Sequence, residues 1–113
     1  MPYINISTNR TVDAEREVAV KAKLGRAIED FPRKNESWLM IKIDDGTKMW
    51  FQGKNEPCAM VEVKIFGKGS PEAYDLMTKD VCTIMKDELG IPSDRVYVRY
   101  DECFLWGWDN RNF

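Results

Sequence analysis

Cys58-Ala-Met-Val-Glu-Val-Lys-Ile-Phe66, with Ser70-Pro71-Glu72 and Arg95-Val-Tyr-Val-Arg-Tyr100 after it, decides the architecture. The first run reads as a long strand opened by Pro57, and Gly67 to Gly69 read as loop. Ser70-Pro71-Glu72 is a strong helix start: a capping hydroxyl, a proline at the first helical position and an acid in the first turn. Tyr74, Met77, Val81, Ile84, Met85 and Leu89 supply the buried face. Gly90 suits the left-handed stop, and Pro92 follows soon after. Arg95 to Tyr100 is then a second strand. A helix joining two strands implies that they pair in parallel.

The preceding half has the same order. Tyr3, Ile4 and Ile6 among small polar residues predict a strand over residues 2–8. Asp13 is placed to cap a helix running to about Asp30, with Val20, Leu24, Ala27, Ile28 and Phe31 on one face and Pro32 ending it. Trp38 to Asp44 is a strand candidate. Asp45-Gly46 gives a turn, and Met49-Trp50-Phe51 a short returning strand. A proline precedes the first strand of each half, Pro2 and Pro57. Duplication of a β-α-β unit is the economical reading, with pseudo-repeats at about 1–55 and 56–113 in one domain. The expected fold is α+β: a four-stranded mixed sheet with two helices on one face. The other face and at least one edge then need cover, which self-association would supply.

The composition excludes several classes of function. The chain has 113 residues, 43% of them apolar, and a net charge of −2. One domain with a real core follows, without a broad pull toward nucleic acid or an anionic membrane. Three widely spaced cysteines argue against a disulfide framework or a Cys-x-x-Cys metal or redox site. There is no histidine, which removes Ser-His and Cys-His nucleophiles and the usual base near neutral pH. Acid–base chemistry must come from a carboxylate, Lys, Tyr, Cys or the chain terminus. The N-terminal segment has no basic start and no apolar h-region, and no apolar run is long enough to span a membrane. A cytoplasmic protein is expected, with leaderless secretion as the alternative.

Five motifs occur together in order. They are Met1-Pro2 with Ser7-Thr8-Asn9; Lys34 shortly before Ser37-Trp38; Glu56-Pro57-Cys58-Ala59; Pro92-Ser93-Asp94-Arg95-Val96-Tyr97; and Gly107-Trp108-Asp109-Asn110 with Phe113. On these the chain resembles the macrophage migration inhibitory factor and D-dopachrome tautomerase family, across essentially its whole length. The resemblance implies a tautomerase-type fold, a homotrimer with sites at subunit interfaces, and keto–enol tautomerisation of small aromatic 2-keto acids. It implies no metal and no cofactor. A protein receptor, as for a cytokine, is the other kind of partner it implies.

Pro2 is the candidate base. Removal of Met1 would leave a secondary amine, and burial beside a cation would lower its pKa toward neutrality. Lys34 matches the family's substrate-binding lysine, with Arg33 as its fallback. Tyr97 matches a tyrosine that reaches the proline of an adjacent subunit. Arg99 departs from the cytokine's Asn and would clamp a carboxylate. Phe66 stands where Ile is common and would narrow the pocket. Trp106 would line it, whereas Trp108 and Phe113 read first as tail packing. Val61 replaces the second cysteine of the cytokine's Cys-Ala-x-Cys element, so Cys58 is expected to be a small buried hydrophobe. The rival expectation is a non-enzymatic cytokine-like or protein-binding trimer that keeps the fold. Decarboxylase or dehalogenase chemistry, which relatives perform with the same proline, lacks the additional charged groups here.

Overall fold

A computed structural model describes residues 1–113. Its main elements are β1 (Pro2–Thr8), α1 (Ala14–Ala27), β2 (Met40–Asp44), β3 (Ala59–Phe66), α2 (Pro71–Leu89) and β4 (Val96–Cys103). The tail adds a two-stranded hairpin, β5 (Gly107–Trp108) and β6 (Arg111–Asn112). The main sheet has the order β2-β1-β3-β4. β1 is parallel to β2 and β3 to β4, whereas the central pair β1 and β3 is antiparallel. The two β-α-β units therefore meet through their first strands, as a duplicated chain would.

The local signals act where they stand. The Asp13 carboxylate accepts from the Arg16 N–H at 2.8 Å, and the Ser70 hydroxyl accepts from the Ala73 N–H at 3.1 Å. Each satisfies an orphan donor at a helix start. Gly90 closes α2 at φ +67°, a conformation that favours glycine. Ile4 and Ile6 of β1, and Val61, Val63 and Ile65 of β3, are fully buried beneath the helices. They meet Val20, Leu24, Ile28 and Phe31 from the first unit and Met77, Val81 and Met85 from the second. Burying each such side chain contributes about 1.5–3 kcal/mol. Tyr74, expected in this row, is only partly buried, and Ala73 takes the inner place.

Four local expectations need correction. Trp38 belongs to a 3-10 turn, Glu36–Trp38, capped by the Asn35 side chain, and the strand begins at Met40. Met49-Trp50-Phe51 is not a strand, because Gln52 and Gly53 both take positive φ and leave one isolated bridge, Phe51 to Lys54. Arg95 precedes its strand rather than opening it. β4 continues to Cys103 because β3 offers paired backbone as far as Phe66.

Arg95 is 7% exposed. Its guanidinium donates to the carbonyls of Pro57 (2.9 Å), Phe51 (3.1 Å), Glu56 (3.1 Å) and Lys54 (3.2 Å). It also lies 5.3 Å from the centre of the Phe51 ring. One arginine thus gathers the 51–57 loop. In the 3-10 turn Ile28–Asp30 that follows α1, Asp30 faces Asp80 of α2, and burial together with that second carboxylate raises the Asp30 pKa to about 7.

The sheet's second face carries no helix. Tyr3, Asn5 and Ser7 stand there beside Lys64, Glu62 and Met60, with Asp101, Arg99 and Tyr97 on the outer strand. Polar pairs tie it together: Asn5 to Glu62 (3.2 Å), Lys42 to Asp44 (3.5 Å) and Arg99 to Asp101 (3.4 Å). No helix is long and apolar enough to cross a membrane.

Candidate active site

Pro2 is the first residue of β1 and is buried, directly opposite Ile65. A proline is tolerated there because it opens the strand. With Met1 attached, the Pro2 nitrogen is an amide without a basic lone pair. The Met1 carbonyl accepts a hydrogen bond from the Phe66 N–H at 3.0 Å. Removing Met1 would therefore free two groups at one place, the Pro2 amine and the Phe66 N–H.

Lys34 reaches the same place from the loop after α1. Arg33 turns the chain there with φ +66° and is exposed, while Lys34 is partly buried. The Lys34 ammonium donates to the Phe66 carbonyl at 3.2 Å. Burial holds the Lys34 pKa below the ordinary lysine value. The terminal amine is also pulled down, first by burial and then by the charge of Lys34.

Beside the N-terminal segment opens a cleft of ≈ 880 Å³, lined by Pro2, Tyr3, Trp38, Leu39, Met40, Trp106 and Trp108 among others. Trp38 meets Trp108 edge to face at 5.1 Å, and Trp108 stacks on Phe113 at 6.4 Å with only 10° between the planes. Phe113 continues to Phe66 at 5.8 Å. The hairpin positions these rings. Asp109 and Asn110 both take positive φ, as a tight two-residue turn needs, and the Phe113 N–H bonds the Trp106 carbonyl at 3.0 Å. The cleft thus sets an apolar, aromatic wall beside Pro2.

Pro2, Lys34, Phe66 and Trp106 therefore come together in one chain. Tyr97 and Arg99 do not join them. Tyr97 pairs with Met60, which pairs with Ser7, so it lies five residues along and two strands across from Pro2. That separation is roughly 19 Å. Tyr97 is 61% exposed, with its ring on Phe51 at 4.7 Å, and Arg99 stands on the bare sheet face. Cys58 is buried and free, as a small hydrophobe would be, with its backbone held by Thr8 and Asn9. Sequence reasoning missed Trp38 as a wall of the cleft and took Trp108 as tail packing. The available signal was four tryptophans in a short chain, one of them just after Lys34.

The description macrophage migration inhibitory factor is that of the family model matching residues 1–108. A macrophage migration inhibitory factor homolog of Wuchereria bancrofti is 30% identical over 98 residues, covering 87% of this chain and 84% of its own length. Among solved structures, MIF2 of Leishmania major superposes with a TM-score of 0.94 at 29% identity, covering 100% of this chain and 97% of the other. The homologue from Prochlorococcus marinus gives 0.82, also at 29% identity and with 98% of each chain covered.

Proposed function

The chain belongs to the macrophage migration inhibitory factor family, and from that premise we propose that it is a keto–enol tautomerase of phenylpyruvate-like 2-keto acids. The observation that carries this reading is that the N-terminal segment lines an aromatic cleft and also neighbours a partly buried Lys34 through the Phe66 backbone. After loss of Met1, the Pro2 amine takes a proton from the carbon next to the keto group. Electrons move onto the carbonyl oxygen, and the proton is returned there to give the enol. The reverse reaction uses the same groups. Lys34 holds the substrate carboxylate, and with the freed Phe66 N–H it stabilises the negative charge that develops on oxygen. Trp106 lines the cleft, and Phe66 stands behind it against Phe113. No metal or cofactor takes part in these steps.

Tyr97 and Arg99 enter through a homotrimer in this reading, each from an adjacent copy, with Arg99 as a planar second clamp on the carboxylate. The exposure of both residues and the uncovered sheet edges support such an assembly. The test begins with intact mass, to establish that Met1 is gone. Phenylpyruvate and its 4-hydroxy analogue should then be tautomerised, and Pro2→Gly should remove most of the activity. Full activity in Pro2→Gly with a confirmed N-terminus would refute the mechanism.

A second reading, a cytokine-like binding protein that keeps the fold, is favoured by the crowding of Phe66 against Phe113 beside the cleft. Failure to turn over keto acids despite a free Pro2 would decide for it. The cytoplasm is the compartment we propose under either reading.

A further inference from the structure

The turn from β3 to α2 is held from a side that the proposed chemistry does not touch. The Gly69 N–H points at two acceptors, the Tyr74 hydroxyl at 3.1 Å and the Glu102 carboxylate at 3.2 Å. The Tyr74 hydroxyl itself donates to that carboxylate at 2.5 Å. Tyr74 belongs to α2 and Glu102 to β4, so three separate pieces of chain close on one another. The fit leaves no slack: a Cβ at Gly69 would lie 2.8 Å from the Tyr74 ring and 3.1 Å from that of Phe31. Phe31 and Tyr100 hold the Tyr74 ring in turn, at 5.4 and 4.6 Å.

The other end of this short turn is the functional end. The Gly67 N–H bonds the Cys103 carbonyl at 2.8 Å, which fixes the peptide that follows Phe66. The Phe66 carbonyl is the acceptor for Lys34. In the strand register, Glu102 stands opposite Ile65, and Ile65 stands opposite Pro2. The clamp on Gly69 and the base thus lie on one row across the sheet.

We propose that Tyr74 and Glu102 are positioning residues, which set the turn over residues 66–69 and through the Phe66 carbonyl fix where the Lys34 ammonium sits. This deepens the tautomerase reading and rests on it for its functional consequence. Neither residue touches substrate. Tyr74 acts through its hydroxyl, and Glu102 acts as the shared acceptor. The Tyr74 hydroxyl first, then the Gly69 N–H and the Lys68 charge, hold the Glu102 carboxyl below its ordinary pKa, in the ionised, accepting form.

The experiment uses Tyr74→Phe, which keeps the ring and removes only the hydroxyl. Glu102→Ala serves as a second variant at an exposed position. Glu102→Gln is the rescue, because its amide oxygen can still accept from Gly69 and Tyr74. Two readouts are taken on the processed protein: the Lys34 side-chain titration by NMR, and KM and kcat on phenylpyruvate. In Tyr74→Phe and Glu102→Ala the Lys34 amine should titrate higher than in wild type, since its burial loosens. KM should rise about tenfold with kcat much less changed, as a misplaced binding group requires. Glu102→Gln should stay close to wild type on both. An unmoved Lys34 titration in both loosened variants overturns the proposal, whatever the activity. A moved titration with unchanged KM also overturns it, while leaving the tautomerase reading intact. If wild type turns over no keto acid, the tautomerase reading fails and the Lys34 titration alone decides whether the clamp sets the ammonium's place.

Discussion

Replacing Arg95 with Met should be among the most damaging single changes outside the apolar core. The guanidinium is 7% exposed and donates to four backbone carbonyls, those of Phe51, Lys54, Glu56 and Pro57. A hydrogen bond from a charged donor contributes about 1.5–3 kcal/mol. The four do not add, because Lys54 and Glu56 are exposed and their carbonyls can take up water. Counting only the other two gives a loss of about 3–6 kcal/mol. That is a large part of the roughly 5–15 kcal/mol that holds a domain together. Urea unfolding followed by tryptophan fluorescence measures it. With a slope of about 2 kcal/mol/M, the midpoint should fall by about 2 M. Arg95→Lys keeps the charge but loses the fork of donors, and should fall between Met and wild type. The damage should also reach Tyr97, whose ring rests on Phe51 beside this arginine. A midpoint within about 0.3 M of wild type in Arg95→Met would show that the loop is held by something else.

Lys34→Met should lower kcat/KM for phenylpyruvate by about 10- to 100-fold, the size of one charged hydrogen bond. A cation beside an amine disfavours its protonation, so Lys34→Met should also move the rising limb of the pH–rate profile of the processed protein to higher pH. Asp30 ionises near 3.8 in an unfolded chain but at about 7 in the fold, so the fold resists its ionisation and loses stability as pH climbs through that range. Asp30→Asn should flatten this loss and melt above wild type at pH 8, as calorimetry at pH 5 and pH 8 would show; a variant that melts no higher than wild type at pH 8 removes the carboxylate pair from the account. Ser70→Ala should cost about 1 kcal/mol through the lost helix cap and lower Tm by about 4 °C, read by thermal circular dichroism.

Much of the architecture was legible because its determinants are local. Asp13 and Ser70 announce helix starts by side-chain chemistry within three residues, and both cap as expected. The spacing of Val20, Leu24, Ala27, Ile28 and Phe31 marks a face that is buried in full. Errors arose where a local pattern competes with a backbone turn. Trp38 reads as strand, yet the Asn35 side chain caps a 3-10 turn through it. Met49-Trp50-Phe51 reads as strand, yet positive φ at Gln52 and Gly53 folds the chain back at once. The site was half legible. Pro2, Lys34, Phe66 and Trp106 could be named from motifs, but their meeting depends on register. So does the remoteness of Tyr97, which follows from pairing Met60 with both Ser7 and Tyr97. The Tyr74–Glu102–Gly69 clamp joins residues up to 33 positions apart, and no spacing rule announces it.

The uncovered face of the sheet bears on how copies of this chain would find one another. Asn5, Ser7, Lys42, Asp44, Glu62, Lys64, Arg99 and Asp101 dominate it, with acids and bases interleaved. A lone subunit, newly folded, shows water a hydrated and nearly charge-balanced surface where a greasy one would invite indiscriminate sticking. It can survive as a dissolved intermediate and collide many times before a productive encounter. Assembly on these terms would depend on concentration and would be slowed by dilution and by salt.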